Sequence, residues 1–324
     1  MTNETRTSKR IPLKEFSPLF ENFNNPDRYI TKTPTGLACL DQALGGGLTE
    51  GVHTICAWPG TGKTALALNI AINAVENDTP VLFFSYEVPE LDLATKIYSI
   101  VSNKLSANGG GFSFDNLRSE YKISTAEQKL YVKTREYINT KLNDQCSFFN
   151  CRDEKYTVNQ IIEEIEFFIN EQKKLPLVII DYLQVIEPES ETITQKTSID
   201  HIIVALHNIA TKYHFPSIAI SSITKNYTEN LTMFSCAESA RIPYSSVTVW
   251  GLSKVNNKDN SASYKTIKLE IFKNRYGPGD VILNFAFDGE HSRFWELTES
   301  QKTKSKKTQT ETKGTTKGTR TSKK

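Results

Sequence analysis

Residues Ala57-Trp58-Pro59-Gly60-Thr61-Gly62-Lys63-Thr64 lie between a strand-like apolar run over 52–57 and a helix-like run over 65–75. This order commits the chain to a strand–loop–helix unit. Its glycines let the backbone close around an anion at the positive end of the helix. In such a loop Lys63 reaches the β- and γ-phosphates, and the Thr64 hydroxyl takes a place on Mg²⁺. Pro59, Gly60, Thr61 and Gly62 form the cradle, and Ala57 stands where the pattern usually begins with Gly. The competing reading is a Gly-rich turn that binds nothing, and the flanking strand and helix weigh against it. The loop implies a nucleoside triphosphate, ATP with Mg²⁺, as ligand.

The rest of the chain extends that unit. Continuous apolar runs over 81–86, 146–150 and 177–180 read as strands. Helical periodicity fills 91–101, and Ile199, Ile202, Ile203, Leu206, Ile209 and Ala210 mark another helix. Ser124 with Glu127, and Thr157 with Gln160, form capping boxes that open two further helices. Strands then follow one another over 217–221, 247–252, 264–272 and 281–287. Strands alternating with helices and then running consecutively indicate an α/β fold, a mainly parallel sheet flanked by helices with antiparallel strands at its C-terminal edge. The expected organisation is an N-terminal arm over 1–31, one ATPase domain over 32–298 and a disordered basic tail over 299–324.

Charge and cysteine usage narrow the setting. Residues 301–324 hold nine Lys or Arg against Glu311 alone, although the whole chain carries only +2. The body is therefore mildly acidic, and the tail is either an arm that attracts nucleic acid or a solubilising end. Within the arm, residues 16–23 are expected to dock on a neighbouring copy or to form a loose linker. No apolar run approaches the roughly 18 residues that span a bilayer, and residues 1–10 are too polar for a secretion signal. Five cysteines without a CxxC pair argue against a disulfide framework and for a reducing cytoplasm.

Hydrolysis needs more than a phosphate loop. Asp181 ends the strand over 177–180, where a carboxylate holds Mg²⁺ through water or is simply a strand-end charge. Glu87 follows the strand over 81–86, either as the group that orients the attacking water or as a bystander at a helix start. Lys273 and Arg275 lie in a turn between two late strands, and their spacing alone assigns them nothing.

Taken together, these segments resemble the ATPase domain of the DnaB family of hexameric replicative helicases. The matching stretches are Thr35-Gly36-Leu37, Leu40-Asp41, Gly45-Gly46-Gly47-Leu48, Gly62-Lys63-Thr64, Phe84-Ser85-Tyr86-Glu87-Val88-Pro89, Asp181-Tyr182-Leu183-Gln184 and Lys273-Asn274-Arg275-Tyr276-Gly277-Pro278. The resemblance implies a RecA-like P-loop NTPase core. In it Glu87 polarises water, Asp181 supports the metal, and Gln184 links nucleotide to DNA-facing loops. Lys273 and Arg275 would reach the γ-phosphate of a neighbouring subunit, with Arg275 as the arginine finger. It further implies a homo-hexamer moving 5′→3′ on single-stranded or forked DNA, with primase or a loader as possible partners and no membrane. Two loops, over 187–197 and 225–237, would face the channel. Only about 30 residues precede the match, so a stand-alone form lacking the family's N-terminal helical domain is expected. Ser222 stands where the family has Gln after a strand, so a γ-phosphate sensor is expected to be lost. The alternative is a DNA-stimulated ATPase acting as a recombination mediator or loading factor without unwinding.

Overall fold

The computed structural model describes residues 32–107, 109–142, 145–190, 192, 194–223, 231–235, 239, 241–255 and 263–297. The arm over 1–31 and the tail over 299–324 lie outside them, as do 225–230, 236 and 237 of the second expected channel loop and Glu191 and Ile193 of the first.

In chain order the described elements are α1 (Ala38–Ala43), β1 (Gly51–Ala57), α2 (Lys63–Glu76), β2 (Val81–Ser85), α3 (Glu90–Leu105), α4 (Phe114–Arg118) and α5 (Gln128–Tyr137). There follow β3 (Cys146–Asn150), α6 (Cys151–Glu154), α7 (Val158–Gln172), β4 (Leu177–Asp181), α8 (Gln195–Tyr213) and β5 (Pro216–Ser222). The last are α9 (Arg241–Ser245), β6 (Thr248–Lys254), β7 (Lys265–Asn274), β8 (Val281–Asp288) and β9 (Arg293–Glu296). One nine-stranded sheet runs β3-β2-β4-β5-β1-β6-β7-β8-β9. The strands from β3 to β6 are parallel, and β7, β8 and β9 add antiparallel pairs at one edge.

The central strands are buried on both faces, and the two-residue period of a strand decides which face each side chain serves. Leu177, Ile179, Val81, Phe83 and Ile55 join the cluster under α2 and α3. Val178, Ile180, Leu82, Phe84, Val52 and Cys56 join the cluster under α7 and α8. Thr157 caps α7 in a complete capping box with Gln160, as its spacing predicts. The other expected box behaves differently. The Glu127 carboxylate accepts from both the N–H and the hydroxyl of Ser124, and α5 starts about a turn later, at Gln128, with no side-chain cap. Residues 138–142 continue it as a π-helical segment.

Cys146 and Cys151 are free thiols. Cys56 is disulfide-bonded, which the cysteine count argued against.

Candidate active site

β1, β2, β4 and β5 end at the same edge of the sheet, with Ala57 in register with Ser222 and Ser85 with Asp181. Ligands of open parallel sheets bind at this carboxyl edge. Here it opens into a cleft of about 470 Å³ lined by residues from three directions. Pro59, Gly60, Gly62, Lys63 and Thr64 come from the phosphate loop, Glu87 and Lys96 from the β2–α3 side, and Phe287 and Ser292 from the β8–β9 hairpin.

The loop is shaped for a close ligand. Gly60 has φ +72 with open space where a Cβ would stand, and Gly62 has φ +102. A Cβ on Gly62 would lie 3.1 Å from Phe294 and 3.2 Å from Phe287. Those two rings stack at 4.5 Å and form the floor of the loop. Lys63 donates to the carbonyls of Ala57 at 3.2 Å and Trp58 at 3.4 Å, which folds its side chain back over the loop. Burial lowers its pKa, and the charges of Asp181 and Glu87 pull it back up.

Thr64 and Asp181, distant in sequence, meet directly. The Thr64 hydroxyl donates to Asp181 Oδ2 at 2.6 Å. Asp181 is fully buried, and burial raises its pKa to about 6, with the Thr64 hydrogen bond opposing. Its Oδ1 is buried with no hydrogen-bond partner among the described residues. An orphaned carboxylate oxygen beside a hydroxyl on a phosphate loop fits a divalent cation, so the residues present suit Mg²⁺. Glu87 stands exposed at the mouth of the cleft. Gln184 donates to Ser221 Oγ at 2.9 Å and Ser222 O at 3.1 Å, and its Oε1 accepts from the Ser222 N–H at 3.2 Å. It thereby ties the turn after β4 to the end of β5, and Ser222 itself lines the cleft.

Lys273 and Arg275 are not among the residues lining this cleft. Lys273 Nζ donates to Pro243 O and Ser246 O, both at 2.6 Å, and Arg275 Nη2 donates to Tyr244 O at 3.3 Å.

With this geometry the chain matches the DnaB-like helicase C-terminal domain over residues 33–296. The chain belongs to that family. It is 26% identical over 286 residues to the replicative DNA helicase DnaC of Bacillus subtilis, covering 86% of this chain and 59% of that one. The replicative DNA helicase DnaB of Geobacillus stearothermophilus is 27% identical with the same coverage. The chain thus spans under two thirds of these relatives' length. A solved ATPase domain superposes with TM-score 0.74 at 20% identity, covering 90% of this chain and 100% of that domain. A solved DnaB-like replicative helicase, described with its interactions with primase, superposes with TM-score 0.74 at 21% identity over 87% of this chain and 68% of that one. The fold is therefore the RecA-like core of DnaB-type ATPase domains. Membership of that family implies nucleotide binding.

Sequence reasoning missed several cleft residues of this DnaB-family domain. Lys96 on α3 lines it, and its pKa is lowered by burial and supported by Asp181. On an amphipathic helix a single lysine reads as solvent-facing, so no sequence signal marked it. Lys265, Tyr182, Phe287 and Ser292 also line the cleft. The hairpin that brings Phe287 and Phe294 had a signal, Asp288-Gly289 before an aromatic pair. Among the described residues no helix is long and apolar enough to cross a membrane.

Proposed function

We propose that this chain is the motor of a ring-forming, ATP-driven DNA helicase that acts in replication in the cytoplasm. The observation that carries the reading is a division of labour. Lys63, Thr64 and Glu87 share one cleft with the buried Asp181 behind it, while Lys273 and Arg275 stand outside. A cleft with an acceptor for the water's proton and a metal-side carboxylate, lined by Lys63, Lys96 and Lys265 but not by Arg275, leaves the arginine to come from a second copy. A homo-hexamer provides that boundary six times.

Lys63 neutralises the β- and γ-phosphate oxygens, and the loop orients the chain of phosphates for in-line attack. Glu87 takes the proton of a water whose oxygen bonds to the γ-phosphorus, while the bond to the ADP oxygen breaks. Thr64 and Asp181 would hold Mg²⁺, which supplies charge neutralisation at the phosphates when bound. Lys273 at the end of β7 and Arg275 in the turn after it supply charge from the neighbouring subunit, a contribution of roughly 10³–10⁵ in rate for a trans arginine. Gln184, joined to Ser222, passes the state of the cleft to the segments after β4 and β5 that would hold single-stranded DNA. Primase or a loader is the proposed partner, by likeness to the relative described with primase.

Strand displacement on a forked duplex tests this function. Wild-type rings should unwind the fork with ATP, and Lys63→Ala rings should not. A second reading, a DNA-stimulated ATPase that loads or mediates without unwinding, is favoured by Ser222 at the expected sensor position. ATP turnover without displacement on forks of either polarity would establish it.

A further inference from the structure

β7 is antiparallel to β6, so it starts at the edge of the sheet where β1 and β6 end, and its first residue is Lys265. Side chains alternate along a strand. Ile267, Leu269 and Ile271 join the cluster beneath α2 and α3. Lys268 and Glu270 take the other face and pair with each other at 2.8 Å. Lys265 therefore carries a charge on the face that buries apolar groups, one step before Ile267. Its cross-strand partner is Phe287, which lies beneath Gly62 of the phosphate loop. With Ala65, Phe287, Gly289 and Ser292, Lys265 lines the hairpin side of the nucleotide cleft.

The other two lysines of the cleft are engaged. Lys63 donates to Ala57 O and Trp58 O, and Lys96 Nζ lies over the Phe114 ring, 4.6 Å from its centroid. Lys265 is exposed, with no hydrogen bond or ion pair among the described residues. Asp288, the carboxylate next to Phe287, is taken by His291 at 2.6 Å. An ammonium so placed is satisfied by solvent or by an anion that enters the cleft.

Sheet order decides which part of the anion it meets. β4 and β7 lie on opposite sides of β1, each two strands away. At about 4.8 Å per strand, four steps separate them by about 19 Å. Glu87 and Asp181, the groups for the attacking water and the metal, come from the β2–β4 flank, and Lys265 comes from the other. A cation on that flank faces the phosphates behind the one transferred.

We propose that Lys265 is a further binding residue of the cleft, which holds the diphosphate shared by ATP and ADP and takes no part in moving the γ-phosphate. Resting on the ATPase reading above, this gives the nucleotide a contact that lies outside the matching motifs.

Displacement of a fluorescent nucleotide from the full chain, by ADP and by ATPγS in turn, tests the role. Lys265→Ala should weaken both by the same factor, about tenfold, the size of one exposed charge-assisted contact. The preference for ATPγS over ADP should stay at its wild-type value. In turnover, KM for ATP should rise by that factor while kcat at saturating ATP does not fall with it. Lys265→Arg should restore most of the affinity. Lys265→Glu should weaken ADP more than Lys265→Ala does, by a margin that shrinks as salt is raised. Unchanged ADP affinity in Lys265→Ala would make this a solvated strand-end lysine and overturn the proposal. A loss confined to ATPγS would put the ammonium on the γ-phosphate and overturn it too, as would Lys265→Arg binding no better than Lys265→Ala. Lys63→Ala separates this failure from that of the site. If wild type binds no nucleotide, or Lys63→Ala binds it as well as wild type, the ATPase site itself fails and the role of Lys265 falls with it. If Lys63→Ala loses binding and the Lys265 variants do not, the site stands and the role of Lys265 alone is refuted.

Discussion

Asp181 shows at the residue scale what the site costs the fold. A fully buried carboxylate with an unpartnered oxygen is expensive, and its pKa rises from 3.8 to about 6. The folded protein therefore holds this proton more tightly than the unfolded chain. The associated stability is fully present below about pH 4 and is lost as pH rises through about 6. A shift of this size corresponds to about 3 kcal/mol. Asp181→Asn keeps an acceptor for Thr64 and removes the charge. Without nucleotide or metal, thermal melts should find the variant more stable than wild type at pH 7.5, with the difference vanishing near pH 4. ATP turnover should collapse in the same variant. Equal melting temperatures at pH 7.5 would show that the buried charge is compensated by something else.

Among the elements, the β8–β9 hairpin does more than close the sheet edge. Phe287 and Phe294 lie beneath Gly62, and the turn between the strands contributes Gly289 and Ser292 to the cleft. Asn69 on α2 joins this hairpin to the helix of the phosphate loop. Its amide donates to Ser292 O at 2.8 Å and Ala65 O at 2.7 Å, and its Oδ1 accepts from the Phe294 N–H at 3.2 Å. Asn69→Ala takes the side-chain partner from Ser292 O and the Phe294 N–H and should cost about 1–3 kcal/mol in a urea titration. Nucleotide affinity should fall as well, because the floor under Gly62 loosens. Loss of stability with unchanged affinity would show that the hairpin only completes the fold. The strands over 81–85, 177–181 and 281–288 were legible as apolar or alternating runs. β9 was not read: its four residues, containing Phe294 and Trp295, carry only the Asp288-Gly289 turn signal before them, and pairing with β8 makes them a strand.

For the whole molecule, the question is where hydrolysis happens. If the arginine arrives from a neighbour, two inactive variants should rescue each other. Lys63→Ala subunits have no working cleft but keep Arg275, and Arg275→Ala subunits have the reverse. Mixed rings contain some boundaries that join an intact cleft to an intact arginine, so turnover should reappear on mixing. Mixtures as inactive as either parent, in rings of normal size by light scattering, would place both residues in one subunit's chemistry. Such an arrangement would contradict the separation of Arg275 from its own cleft.

The sequence alone determined the phosphate loop, the order of most strands and helices, and the identities of Asp181 and Glu87 as groups of interest. These are local: an apolar period, a glycine spacing or a charge at a strand end is written within a few residues. Only the tertiary structure decided that Thr64 touches Asp181 across 117 positions of chain, that aromatic rings from the last hairpin hold up the loop, and that Lys273 is seated while Arg275 is exposed. Contacts of that kind depend on which strands become neighbours in the sheet. That neighbour order follows from packing of the whole chain rather than from any segment of it.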